Sequence, residues 1–406
     1  MVANTQKFSF QDLDDIILGA HFYACGGGGA LKNGTDLIDQ TKAVLKKRGV
    51  DFVEYYAPKD VPDDGWLPVL GAMGAPQKFL QDGYGKSPVS AFKEHQRLMQ
   101  VRLGNPSFSF SSMAAAECGT IAHGMALLVA ASQNLPIVDG DGAGRAVPSL
   151  PMLSFANPET KANIQLSPSV LTSETAVKEG GAILNLDCID AATVDALARA
   201  IISAEAGFEE RASLSCFAMT GGQMKQPGAL VHNTLTNSRD LGRSIRTSND
   251  PVQTILSLPT AQLICEGEIT SIGTSTHGGF DWLDIHIKDK QNHEYVVIAK
   301  NENMLVWSKQ KDTPIALGPD LICYIQPDGT VLSNSEIALH FETSKKSMPV
   351  ALFSLRAPKA IDTPWMHQQF AEVFESNGYY GSYHPPLKTQ VEHKKQKMNE
   401  PELALS

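Results

Sequence analysis

The sequence predicts an α/β amino-terminal domain, α+β in its mixing of elements, followed by a β-rich carboxyl-terminal domain. Three observations lead there. At 406 residues the chain exceeds what one hydrophobic core usually supports, so two domains are expected. Its first half interleaves helical apolar stripes with short apolar runs. From about Ile264 the texture changes to alternating strand patterns separated by turn residues such as Pro327, Asp328 and Gly329.

The first helix is signalled by Ser9 with Asp12 three residues on, a near capping box, and by the stripe Leu13, Ile16, Ile17, Ala20. It runs into the four consecutive glycines Gly26 to Gly29. Strands are expected over 50–56 and 68–73, and helices over 89–101 and 121–131, the latter ended by Asn134 and Pro136. Residues 136–138 then form a short buried strand that delivers Asp139 at its carboxyl end. Strands over 182–186 and 212–219 enclose a helix over 192–206. The later strands are expected at 265–272, 280–287, 295–299, 321–325 and 350–353, as a barrel or sandwich.

Composition narrows the function. A net charge of −10 disfavours a nucleic-acid surface, because phosphate binding relies on clustered Lys and Arg. The one basic cluster, His393 to Lys397, reads as a solvated tail. No apolar run approaches the roughly 20 residues that span a bilayer. The amino terminus lacks a secretory pattern, so the expected location is the cytoplasm. Six scattered cysteines without a Cys-x-x-Cys pair argue against a zinc ribbon or a disulfide scaffold. The expected partner is a small molecule, with a homo-oligomer compatible.

The stretch richest in chemistry is Asp139-Gly140-Asp141-Gly142-Ala143-Gly144-Arg145. Two carboxylates at a strand end, with Arg145 to orient one of them, can hold a divalent cation, position a water or act as a base. The alternative is a turn in which Asp caps backbone N–H groups. Gly26 to Gly29 leave a backbone free to approach a ligand, and Cys25 at their edge is a buried thiol or a nucleophile. Glu117 before a helix reads alone as a helix-cap residue. His232, Asn301 and Glu302 stand at element ends, where side chains can be aimed into a cleft. His277 near Asp281 and Asp284 lacks paired metal-ligand spacing. Gly85-Lys86-Ser87 lacks the leading glycine of a P-loop, since Leu80 stands there, and Leu31 breaks a dinucleotide fingerprint; neither an ATP site of that type nor an NAD site is expected.

Taken in order, Leu18 to Ala20, Gly26 to Gly29, Ala116-Glu117, the block from Leu135 to Pro148, Asn301 to Asn303 and Gly318 to Ile322 resemble the S-methyl thiohydantoin desulfurase-like family. The resemblance spans roughly residues 10–360 and is most specific at Asp139 to Pro148. It implies an amino-terminal domain over 8–166, a β-rich domain over 167–388 and a polar tail over 389–406. It also implies hydrolytic removal of methanethiol from an S-methyl thiohydantoin or related hydantoin-like ring. Members often accompany hydantoinase or oxoprolinase genes, so a non-catalytic subunit of such an assembly is the alternative. Asp139, Asp141, Arg145 and Glu117 are the expected catalytic residues. Cys25, Gly26, Gly27, Gly28, Gly29, His232, Asn301 and Glu302 are the expected substrate-binding set, the Gly27 to Gly29 amides acting as donors. Any divalent metal would sit on Asp139 and Asp141. The chain departs from the family where Cys118 and Thr120 follow Glu117, at Val147, and in the loose Asn377 to Tyr380 signature.

Overall fold

The computed structural model describes residues 4–74, 79, 83–173, 181–203, 207–277 and 280–386. The basic cluster and polar tail lie outside them. The amino-terminal part is mixed α/β, and the carboxyl-terminal part is strand-rich and antiparallel, as the texture of the sequence predicts. In place of a barrel or sandwich there is one curled sheet.

The first part carries two sheets. In the smaller, β1 (Gln6–Ser9) pairs antiparallel with β2 (Phe52–Tyr56), and β2 pairs parallel with β5 (Ile137–Val138). The larger has the order β4-β3-β9-β7-β8, from Ala114–Ala115, Trp66–Gly74, Arg211–Thr220, Ser169–Thr172 and Ile183–Leu186. Strands from before and after residue 167 therefore share one sheet. The long central strand β9 is buried along nearly its whole length, which its apolar run Ala212 to Met219 requires.

The helix Phe10–Tyr23 starts where Ser9 and Asp12 complete a capping box, each side chain satisfying the other's backbone N–H. It packs against the helix Thr234–Thr247 with backbone touching backbone. A Cβ on Gly19 would lie 1.9 Å from the Ser238 carbonyl oxygen, and one on Gly242 would lie 1.9 Å from that of Asp15. Only glycine permits that approach. The helix Thr120–Gln133 is apolar all round and buried except at its end, where Asn134 closes it in the left-handed conformation.

The second part is a seven-stranded antiparallel sheet of order β15-β14-β13-β12-β11-β17-β16. Its longest strands are β11 (Ala261–His277) and β12 (Phe280–Asp289), and β13 spans Glu294–Lys300. Two of its strands escape the sequence pattern: β14 (Glu302–Ser308), which opens on the polar pair Glu302-Asn303, and β15 (Thr313–Leu317). The helices Asn334–Thr343 and Pro364–Ser376 likewise had no expected counterpart. β16 (Leu321–Ile325) and β17 (Met348–Leu355) fall close to expectation. The two parts meet along the glycine loop and the Asp139 to Arg145 segment. No helix among the described residues is long and apolar enough to cross a membrane.

Candidate functional site

The site is built on the loop that leaves the first helix. Cys25, Gly26, Gly28 and Gly29 all take positive φ, at 54°, 76°, 64° and 93°. The loop is clamped on both sides. The Asn303 and Asn334 amides donate to the Cys25 and Gly26 carbonyls at 2.8 and 2.7 Å, and the Ile121 amide donates to the Gly28 carbonyl at 3.0 Å. A Cβ on Gly27 would stand 2.2 Å from Glu302 Oε1. The glycines therefore let the backbone lie directly against Glu302. The expectation that the Gly27 to Gly29 amides face a ligand meets a limit here: the Gly27 N–H donates to the Ala24 carbonyl and the Gly28 N–H to the Glu302 carboxylate.

Glu302 and Glu117 face one small cavity of about 60 Å³, lined also by Gly28, Gly29, Val147, Arg199 and Asn301. Glu302 is buried, and its Oε2 has no hydrogen-bond partner. Burial lifts its pKa to about 8, against the pull of Arg145, Arg199 and the Gly28 amide toward the charged form. Glu117 opens into the cavity and is held by the Val147 N–H, which donates to Oε2 at 2.7 Å. Burial, and then the charge of Glu302, push the Glu117 pKa well up. The Val147 amide and Arg145 favour the charge of Glu117 too, but Arg199 adds to the pull on Glu302 while the charge of Glu302 opposes that of Glu117, so of the two Glu302 is the member that ionises. Glu117 keeps its proton. The helix beginning at Thr120 takes Gly119 as its cap, so Glu117 is no capping residue.

The acidic run is placed differently from expectation. Asp139 Oδ1 accepts from the Leu235 and Thr236 amides at 2.9 and 3.0 Å, and Oδ2 accepts from the Thr236 hydroxyl at 2.7 Å. It caps the helix Thr234–Thr247. Asp141 Oδ1 accepts from the Ala143 and Gly144 amides at 2.9 and 2.6 Å, and Oδ2 lies 3.1 Å from His123 Nε2. Arg145 holds neither aspartate. Its fully buried guanidinium donates to the carbonyls of Ala146 (3.0 Å), Asp320 (2.8 Å) and Asn303 (2.8 Å). It ties the loop to the carboxyl-terminal sheet, because three backbone carbonyls in a dry interior need donors.

Of the remaining expected residues, Asn301 turns the chain between β13 and β14 at φ 56° and lines the cavity. His232 is exposed and lines neither this cavity nor the larger groove described next. Cys25 is fully buried behind the loop, its Sγ donating to the Tyr23 carbonyl and lying 3.9 Å from Cys323 Sγ. Burial opposes its ionisation, but the Cys323 thiol and Arg145 bring its pKa below the ordinary value. On the other side of the glycine loop a groove of about 710 Å³ runs beside β11 and β12 and shares Gly29 and Asn301 with the small cavity. In the sequence Arg199 carries no signal of a site. It looks there like an ordinary i,i+4 partner of Asp195, to which its Nε donates at 2.7 Å, and only the tertiary fold brings it to the cavity.

A glycine-loop cleft between a mixed α/β domain and a curled antiparallel sheet, holding the buried Glu302 and the half-buried Glu117, defines the class. Residues 11–178 match the family model described as S-Me-THD-like, N-terminal domain, and residues 189–364 match S-Me-THD-like, C-terminal domain. The chain belongs to the S-Me-THD-like family. Among solved structures it is similar to a protein from Chromobacterium violaceum, with 25% identity and a TM-score of 0.78 over 94% of this chain and 100% of that one. No curated protein matches the sequence.

Proposed function

We propose that this chain is a hydrolase of a small hydantoin-like ring, removing methanethiol from an S-methyl thiohydantoin. The observation that supports it is the pair of glutamates on one cavity: one ionises near working pH and the other keeps its proton. A volume of about 60 Å³ excludes a nucleotide and admits only the reacting edge of a small ring. Substituents have room in the adjoining groove.

The reacting carbon is bonded to sulfur and doubly bonded to a ring nitrogen. Ionised Glu302 takes a proton from water as the water oxygen bonds to that carbon. The C=N electron pair moves to nitrogen, which receives the Glu117 proton. The tetrahedral intermediate then collapses: its hydroxyl proton returns to Glu117, the C–S bond breaks, and the thiolate takes the proton held by Glu302. Both glutamates end as they began. Each transfer is worth typically about 10²–10⁴ in rate.

Purified protein incubated with an S-methyl thiohydantoin in ¹⁸O-labelled water should release free thiol and place one labelled oxygen in the ring product. Because ionised Glu302 is the base, the rate should rise with pH through about 8 and level off above it. Thiol release that falls as pH rises through this range would reverse the assigned roles. No release at any pH would remove this substrate class.

A further inference from the structure

We infer that Cys118, His123 and Asp141 form a binding site for one divalent transition-metal ion of the zinc class, separate from the glutamate pair. Cys118 Sγ, a ring nitrogen of His123 and a carboxylate oxygen of Asp141 all lie within 4.8 Å of one another. Among the described residues no other cluster meets that condition, and Asp139, the other expected metal ligand, is not in it. All three side chains are buried, at 1%, 0% and 0% exposure.

The surroundings favour ligation over a simple hydrogen bond. Asp141 Oδ1 is fixed by the Ala143 and Gly144 amides, which leaves Oδ2 aimed at His123 Nε2, 3.1 Å away. His123 Nδ1 has no partner, so no second hydrogen bond locks the ring in one tautomer and a nitrogen lone pair is available. Ser238 Oγ, 3.5 Å from Cys118 Sγ, is a neighbouring oxygen donor.

The ligand chemistry selects the ion. A thiolate, an imidazole and a carboxylate suit zinc or cobalt and do not suit magnesium or calcium, which take oxygen ligands. Charge selects it too. One thiolate and one carboxylate neutralise a dication, and a fully buried site tolerates a neutral complex far better than a net charge. On binding, the Cys118 S–H bond is replaced by sulfur–metal ligation and its proton passes to the buffer. The ion would pin three elements: the segment after β4, the first turn of the helix Thr120–Gln133, and β6 (Gly140–Asp141). Glu117 is the residue next to Cys118, so the ion would hold that arm in register without taking part in the proton transfers.

The test uses the full chain, purified without chelator or added metal. Elemental analysis should find about one zinc per chain, and Cys118→Ser and His123→Gln should each lower it below about 0.1. Adding Co²⁺ to the stripped protein should produce a thiolate-to-cobalt charge-transfer band that Cys118→Ser abolishes. Circular dichroism of each variant checks that the fold persists. If His123→Gln alone folds, loss of metal in it carries the same weight. Wild-type protein that neither retains zinc nor gives the cobalt band overturns the site. So does a metal content unchanged in the folded Cys118→Ser variant.

Discussion

Glu302→Gln should lower turnover of an S-methyl thiohydantoin at least about 10³-fold while the protein stays folded, because an amide of the same shape cannot take the proton of water. The stability side of this substitution is equally informative. Burial lifts the folded-state pKa of Glu302 to about 8 from an ordinary value of 4.5. The folded chain therefore binds the proton more tightly than the unfolded chain does. Stability falls as pH rises from about 4.5 toward 8, and Gln removes that loss. The variant should be at least as stable as wild type in urea at pH 8. Asp139→Ala should behave in the opposite way. It should lose about 1–2 kcal/mol of stability through the cap on the helix Thr234–Thr247, yet keep full turnover per folded molecule. Equal turnover losses in both variants would return the chemistry to the acidic run.

Arg145→Ala carries the largest expected loss of stability, about 4 kcal/mol or more, measured by chemical denaturation. It strips donors from the Ala146, Asn303 and Asp320 carbonyls, leaves them buried, and opens a cavity against Phe370, whose ring lies 5.2 Å from the guanidinium carbon. Arg145→Met separates the two contributions. It refills most of the volume, so it should recover the packing part alone and remain about 2 kcal/mol or more below wild type. A Met variant as stable as wild type would mean the carbonyls find other donors and that Arg145 is not the tie between the two parts.

Much of the fold was legible in local signals. The Ser9 and Asp12 capping box, the Asn134 stop and the alternating strands after Ile264 each work through neighbours a few residues apart. The strand β14 was not legible, because it opens with Glu302 and Asn303 directly after Asn301, a polar run that looks like a loop. In the fold they are needed inside: Asn303 donates to the Ile322 carbonyl and accepts from the Tyr324 hydroxyl. The Asp139 to Arg145 run stands out in the sequence by its two carboxylates set among three glycines. Whether its carboxylates face a cleft or a backbone depends on Leu235, 96 positions away, and on His123. No window of sequence contains that information. The same holds for Glu117 and Glu302, which read separately as a cap and an element end and become one unit only when the glycine loop brings the two parts together.

The central claim is that this pair holds a proton near neutral pH, and it can be measured without any substrate. In ¹³C NMR of protein labelled at the glutamate carboxyl carbon, one resonance should titrate at about 8 and vanish in Glu302→Gln, with only that of Glu117 beside it displaced well above the ordinary glutamate range. Every glutamate titrating near its ordinary value, with none displaced by that substitution, would contradict the account.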